Sequence, residues 1–137
     1  MNKTDYQHLY EAASLVAKQA YAPYSKFQVG AAILMADGKI ITGANIENAS
    51  FGLTNCAERS ALFSCYSMGY RKKDIVGMLV IGPTKGPVSP CGACRQVMSE
   101  LVNADVEVIM TNFNHDDLTV KVQDLLPFGF AKEDLHE

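Results

Sequence analysis

Apolar residues recur at Tyr6, Leu9, Ala13, Val16, Ala17 and Ala20, the spacing of an amphipathic helix. The pattern predicts a helix over residues 5–20, opened by Thr4 and Gln7 in capping-box spacing and closed ahead of Pro23. Tyr6 and Tyr10 read as packing residues on it. The period then changes. Phe27 to Met35 is a nearly continuous apolar run, followed by Asp37-Gly38 and a second β-rich run from Lys39 to Ala44. A DG pair between two such runs predicts a hairpin. The first strand is apolar on both sides, so both of its faces should be covered. Cys56 to about Met68 reads as a second helix, stopped by Gly69. Its Ala57, Ala61, Leu62, Phe63, Cys65 and Met68 spread around the helix and form no single stripe. A helix apolar nearly all round is buried on most sides, which in so short a chain predicts a partner subunit. Ile75 to Ile81 reads as a third strand, Cys91 to about Leu101 as a third helix with Pro90 suited to its start, and Val106 to Met110 as a fourth strand. Strand, helix, strand predicts a right-handed crossover. Leu118 to Val122 should be a fifth strand antiparallel to the fourth, and Gln123 to Leu126 one helical turn before Pro127.

Composition adds bounds to this picture. The 137 residues are 48% hydrophobic and 20% charged, which suits one domain over 1–137 with a core that needs no disulfide staples. The net charge is −3 and no run of Lys or Arg occurs. A protein that grips a nucleic-acid backbone carries a basic stripe, so a small substrate is expected and no nucleic acid. The opening residues lack an apolar leader core, and the longest apolar stretch, Val29 to Met35, is far too short to span a bilayer. These features predict a cytoplasmic protein with no membrane partner. In that compartment four cysteines read as thiols or metal ligands.

Three of the cysteines carry the candidate chemistry. Cys56 stands at one predicted helix start, and Cys91 and Cys94 at another, three apart and on one face. Helix N-termini stabilise thiolates. Three thiolates on zinc leave a fourth tetrahedral position open, the mark of a catalytic site. Cys65 lies nine residues after Cys56, on the opposite face of that helix, and reads as core. His8, His115 and His136 are near neither cluster. Three thiolates on Zn²⁺ sum to −1, which blunts a Lewis acid. Arg59 is the candidate to offset that charge, whereas Arg95 reads equally as a second such group or as a surface cation. Glu58 separates the hypotheses. A structural zinc knob has no use for an acid beside the metal, but a hydrolytic site needs one to carry protons. A nucleic-acid-binding zinc module would want a fourth ligand and a basic surface. A redox dithiol built on Cys91 and Cys94 would need neither Cys56 nor Glu58. Asn45-Ile46-Glu47-Asn48 ends the second strand and reads either as polar groups aimed into a site or as a loop that bonds only itself.

Cys56-Ala-Glu58 and Pro90-Cys-Gly-Ala-Cys94 match the signature of zinc deaminases in its cysteine form. With Tyr21-Ala-Pro-Tyr-Ser-Lys-Phe-Gln-Val-Gly-Ala31, Asn45-Ile-Glu-Asn48 and Leu125-Leu-Pro127, nearly the whole chain resembles the short, homotetrameric, zinc-dependent cytidine deaminases. The resemblance implies an α/β fold in three layers, α/β/α, with a mixed five-stranded sheet and helices on both faces. It implies hydrolysis of cytidine and deoxycytidine to uridine and deoxyuridine with release of ammonia, as in pyrimidine salvage. It assigns one zinc per subunit to Cys56, Cys91 and Cys94, and proton transfer to ring N3 and the leaving amine to Glu58. The Ala57 N–H and the Ser89 carbonyl would read the base edge, and Asn45 and Glu47 would hold the ribose 3′-hydroxyl. Phe27 would line the pocket, Phe130 would reach a neighbouring subunit's site, and Arg59 would offset thiolate charge. Phe51 departs from the Tyr that relatives often carry. A deaminase of a cytosine-containing nucleoside antibiotic shares the zinc motifs, but Asn45-x-Glu47 with Arg59 favours the plain nucleoside.

Overall fold

The computed structural model describes residues 1–131; the polar tail beyond Ala131, with His136, lies outside the described residues. In chain order the elements are α1 (Lys3–Ala17), β1 (Gly30–Met35), β2 (Ile40–Ala44), α2 (Ala57–Ser67), β3 (Ile75–Gly82), α3 (Gly92–Leu101), β4 (Glu107–Asn112), β5 (Leu118–Lys121) and the single turn α4 (Val122–Leu125). The strands form one sheet in the order β2-β1-β3-β4-β5. β3 and β4 run parallel with α3 between them, and every other neighbouring pair is antiparallel. The expected mixed sheet of five strands is therefore present.

Strand alternation splits the core in two. Ala31, Ile33, Met78, Val80, Val108 and Met110 point to one face, against Ala61, Leu62 and Cys65 of α2 and Met98 of α3. Ala32, Leu79, Ile81 and Ile109 point to the other, against Leu9, Ala13 and Ala17 of α1. Neighbouring residues of one strand thus serve opposite layers, which is why β1 and β3 read as continuous apolar runs. Tyr6 and Tyr10 pack as expected. The Tyr10 ring stacks on His115 with centroids 3.9 Å apart, and the Tyr6 hydroxyl bonds His115 and Asp117.

Three boundaries of α1 and β1 differ from the sequence reading, each for a reason of hydrogen bonding. The cap of α1 is Asn2, not Thr4: the Asp5 N–H donates to Asn2 Oδ1 at 2.8 Å, and the Asn2 N–H donates to Asp5 Oδ2 at 3.4 Å. Asn2 and Asp5 have the same spacing as Thr4 and Gln7, and their reciprocal bonds close the box two residues earlier. The helix also ends before residue 20, because Tyr21 leaves it to pair with the Asn45–Glu47 strand end. Its N–H donates to the Asn45 carbonyl at 3.0 Å and its carbonyl accepts from the Glu47 N–H at 2.8 Å. β1 begins at Gly30 instead of Phe27, because the side chain of Asn45 substitutes for a ladder partner. Its Nδ2 donates to the Phe27 carbonyl at 2.7 Å, and its Oδ1 accepts from the Val29 N–H at 2.8 Å.

Gly43 sets how closely α2 approaches the sheet. A Cβ at this position would lie 2.4 Å from the Ala61 nitrogen and 2.8 Å from the Ala57 carbonyl oxygen. The contact is with helix backbone, which cannot rotate away, so α2 rests directly on β2. Gly43→Ala should lift the first two turns of α2, cost about 1–3 kcal/mol and pull Cys56 and Glu58 out of place. Lower melting temperature together with lower zinc content is the expected result. A variant that matches the parent in both would show that the helix tolerates the shift.

Candidate active site

The starts of α2 and α3 meet on one face of the sheet. Cys56 is the N-cap of α2 and Cys91 the N-cap of α3, while Cys94 lies one turn into α3 and is fully buried. The three sulfurs lie within 4.8 Å of one another, with Cys56 and Cys91 Sγ atoms 3.6 Å apart. Sulfurs at about 2.3 Å from a tetrahedral zinc would stand about 3.8 Å from each other, so this spacing fits the ion. The donor set fits as well, since thiolates suit a borderline-soft metal. Cys65 takes no part: it is buried, packs its sulfur 3.9 Å from Met35 Sδ, and has its thiol pushed up to about 11 by burial.

Charge in the cluster favours a thiolate at Cys56. Cys56 is held well below the usual thiol range, first by Cys94 donating to it and then by Arg59, and Cys94 is pushed up in return. Arg59 Nη2 lies 3.4 Å from Cys56 Sγ. Its Nε is buried with no acceptor among the described residues, a donor that suits a neighbourhood more negative than one thiolate. Glu58 follows Ala57 in the first turn of α2 and is only 4% exposed. Burial pushes its carboxyl up to about 7, and the Cys56 charge pushes the same way. A carboxyl near neutrality beside a metal site can both accept and donate a proton.

A cavity of about 180 Å³ opens over this cluster. Cys56, Ala57, Glu58 and Cys91 form one side of it, Ser89 and Val88 another, and Phe27, Val29, Asn45 and Thr54 the rest. The sequence-expected Phe27, Asn45, Ala57 and Ser89 are thus gathered around Glu58 and two of the thiols. The Ala57 N–H is the first of α2 and has no intrahelical acceptor. Glu47 is buried two residues from Asn45, outside that lining. Its carboxylate accepts from the Tyr24 N–H at 3.0 Å, the Ser25 N–H at 3.1 Å and the Ser25 hydroxyl. The Ser25 hydroxyl, ahead of the two amides, holds Glu47 below the usual carboxylate range, so it stays an anion. Phe130 is 58% exposed and does not line the cavity of its own chain.

Val29, Thr54 and Val88 line the cavity without having been expected there, and Ser25 is the unforeseen anchor of Glu47. Ser25 lies within the Tyr21–Ala31 motif, which was the available signal for it. Val88 stands in a turn-rich loop that offers none. Arg95 makes no bond to sulfur among the described residues; its guanidinium reaches Pro90, Leu125 and Ser89 oxygens.

Residues 3–110 match the model of the cytidine and deoxycytidylate deaminase zinc-binding region, a span that contains all three thiols and Glu58. The chain is 54% identical to a cytidine deaminase of Halalkalibacterium halodurans, over 97% of this chain and 99% of that one. It is 36% identical to a cytidine deaminase of Mycobacterium tuberculosis, over 98% and 96%. Its fold superposes on the crystal structure of cytidine deaminase from Burkholderia pseudomallei with a TM-score of 0.89 at 50% identity, covering 95% of this chain and 100% of the other. Likeness of sequence, fold and thiol cluster runs over almost the entire length, and the chain belongs to the cytidine deaminase family, among its short members.

Proposed function

We propose that this protein hydrolyses cytidine and deoxycytidine to uridine and deoxyuridine with release of ammonia, holding one zinc ion per subunit. The observation that carries the reading is the buried carboxyl of Glu58 beside three convergent thiols at the wall of a cavity. Zinc held by Cys56, Cys91 and Cys94 supplies a Lewis acid that makes water acidic enough to react near neutral pH. Glu58 takes one proton from water and places it on ring N3 as the water oxygen bonds C4, then carries the proton of the new C4 hydroxyl to the amine, which leaves as ammonia when the C4–N bond breaks. Arg59 offsets thiolate charge through its contact with Cys56. The Ala57 N–H and the Ser89 carbonyl present one donor and one acceptor to the base edge. Phe27 gives the ring an apolar wall.

Asn45 and Glu47 hold the sugar. A carboxylate offers about four acceptor positions, and Glu47 fills three of them with Tyr24 and Ser25. The remaining one is available to a ribose 3′-hydroxyl. A substrate that lacks the hydroxyl leaves this anion under-bonded. The enzyme acts as a homotetramer in which Phe130 reaches a neighbouring site. Support comes from apolar side chains that no layer of the described residues covers, Phe51 at 83%, Leu53 at 70% and Phe128 at 107% exposed. We assign it to cytoplasmic pyrimidine salvage. The net charge of −3 favours a free nucleoside over a polynucleotide, and no helix of the described residues is long and apolar enough to cross a membrane.

One assay tests the reading. Loss of cytidine absorbance should depend on the protein and disappear with a zinc chelator. The kcat/KM for 3′-deoxycytidine should fall by about 10²-fold or more. No turnover of cytidine overturns the reaction, and equal turnover of the two nucleosides overturns the sugar contact alone.

A further inference from the structure

Arg59 stands three residues after Cys56 and Arg95 directly after Cys94, and their guanidinium groups do different work. Arg59 bonds a sulfur. Arg95 bonds oxygens of two separate segments. Its Nε donates to the Pro90 carbonyl at 2.9 Å and its Nη2 to Ser89 Oγ at 2.5 Å. Its Nη1 donates to the Leu125 carbonyl at 3.0 Å. Ser89 and Pro90 are the two residues before the N-cap of α3, where no helical bond fixes the backbone, and Ser89 borders the cavity. Leu125 ends α4, and the chain then turns through Phe128, whose φ is 58°, to Phe130. The next side chain of α3 holds that far end, Gln96 Nε2 donating to the Phe130 carbonyl at 2.9 Å.

We infer that Arg95 is a positioning residue that clamps the Ser89–Pro90 turn to the Leu125–Phe130 segment, and so governs substrate affinity and not metal retention. A guanidinium is planar and its donors are fixed in a fork, so its three bonds hold the two segments in one relative placement. The Ser89 backbone is thereby held at the cavity wall, and with Gln96 on the Phe130 carbonyl the segment's far end is fixed while the Phe130 ring stays exposed to meet another chain. Lysine, a single flexible point charge, satisfies one of these acceptors at a time. The inference deepens the substrate reading above and rests on it for its effect on affinity, while the clamp itself is independent of that reading.

The test uses the zinc-loaded, full-length enzyme with Arg95→Gln and Arg95→Lys. Amide hydrogen exchange should speed up in residues 88–91 and 125–130 of both variants, with zinc content unchanged. KM for cytidine should rise about tenfold or more, as expected for a misplaced contact, while kcat falls less than about threefold. Arg95→Lys should recover part of the KM. Ser89→Ala should give a smaller rise, and adding it to Arg95→Gln should add little. Unchanged exchange in the two segments overturns the clamp whether or not cytidine is the substrate. Zinc loss that parallels activity loss overturns it in favour of a metal-holding role. Faster exchange with an unchanged KM overturns the role in affinity.

Discussion

Glu58→Gln should lower kcat for cytidine by about 10³-fold or more, at the upper end of what a positioned general acid–base supplies, with zinc content and melting temperature close to those of the parent. Gln keeps the shape and can still donate and accept a hydrogen bond, but it cannot take up and release a proton. The side chain is 4% exposed and sits in the first turn of α2, so an isosteric amide leaves the packing undisturbed. Removal of an ionisable group from a buried position also relieves a desolvation cost, since burial is the main cause of its raised pKa. The fold should therefore be unharmed or slightly steadier. Steady-state kinetics with metal analysis on the same preparation decides the matter. If the variant loses zinc or unfolds, Glu58 is structural, and the proton-transfer role falls.

Cys94→Ala should abolish both zinc and activity. Altering a group that merely orients a metal ligand costs about 10- to 100-fold in affinity, so removal of a ligand costs more. The loss is sharpened by place: Cys94 is fully buried and lies in the charge network of Cys56, Glu58 and Arg59. The contrast is Cys65→Ala. This thiol is just as buried, but it lies at the other end of α2, against Met35. Its loss leaves a small void that costs about 1 kcal/mol and should leave zinc and kcat at parent levels. Metal analysis and thermal melts of the two variants separate ligand from filler. Retention of stoichiometric zinc by Cys94→Ala would remove it from the metal site.

The contrast between those cysteines was legible in the residue pattern. Position along a helix is local, and nine residues at 100° each turn Cys65 away from Cys56. The hairpin was legible for the same reason, because Asp37-Gly38 announces itself within a few residues. The roles of Asn45, Glu47 and Arg95 were not. Asn45 bonds backbone 16 and 18 residues away, Glu47 bonds groups 22 and 23 residues away, and Arg95 reaches 30 residues to Leu125. Such bonds join loops that have no period, and only the closed fold brings them together. The family resemblance marked Asn45 and Glu47 as sugar contacts. The geometry adds that the same side chains hold the Tyr24–Val29 segment and so delay the start of β1. Of the two readings that the sequence left open, the bonds of this pair are those of a segment that holds itself, and of the two residues Asn45 also borders the cavity while Glu47 lies outside its lining.

The thiols are divided between two helices, one from α2 and two from α3. A zinc ion held by them would cross-link parts of the chain 35 residues apart, and the unfolded chain has no preformed site for it. Each native molecule would then capture the ion and each unfolded one release it, so the melting temperature should be a function of free zinc and not a constant of the sequence. At 1,000 times the dissociation constant the linkage adds about 4.1 kcal/mol. Cells short of zinc would then hold a smaller folded pool of this protein, as well as a less active one.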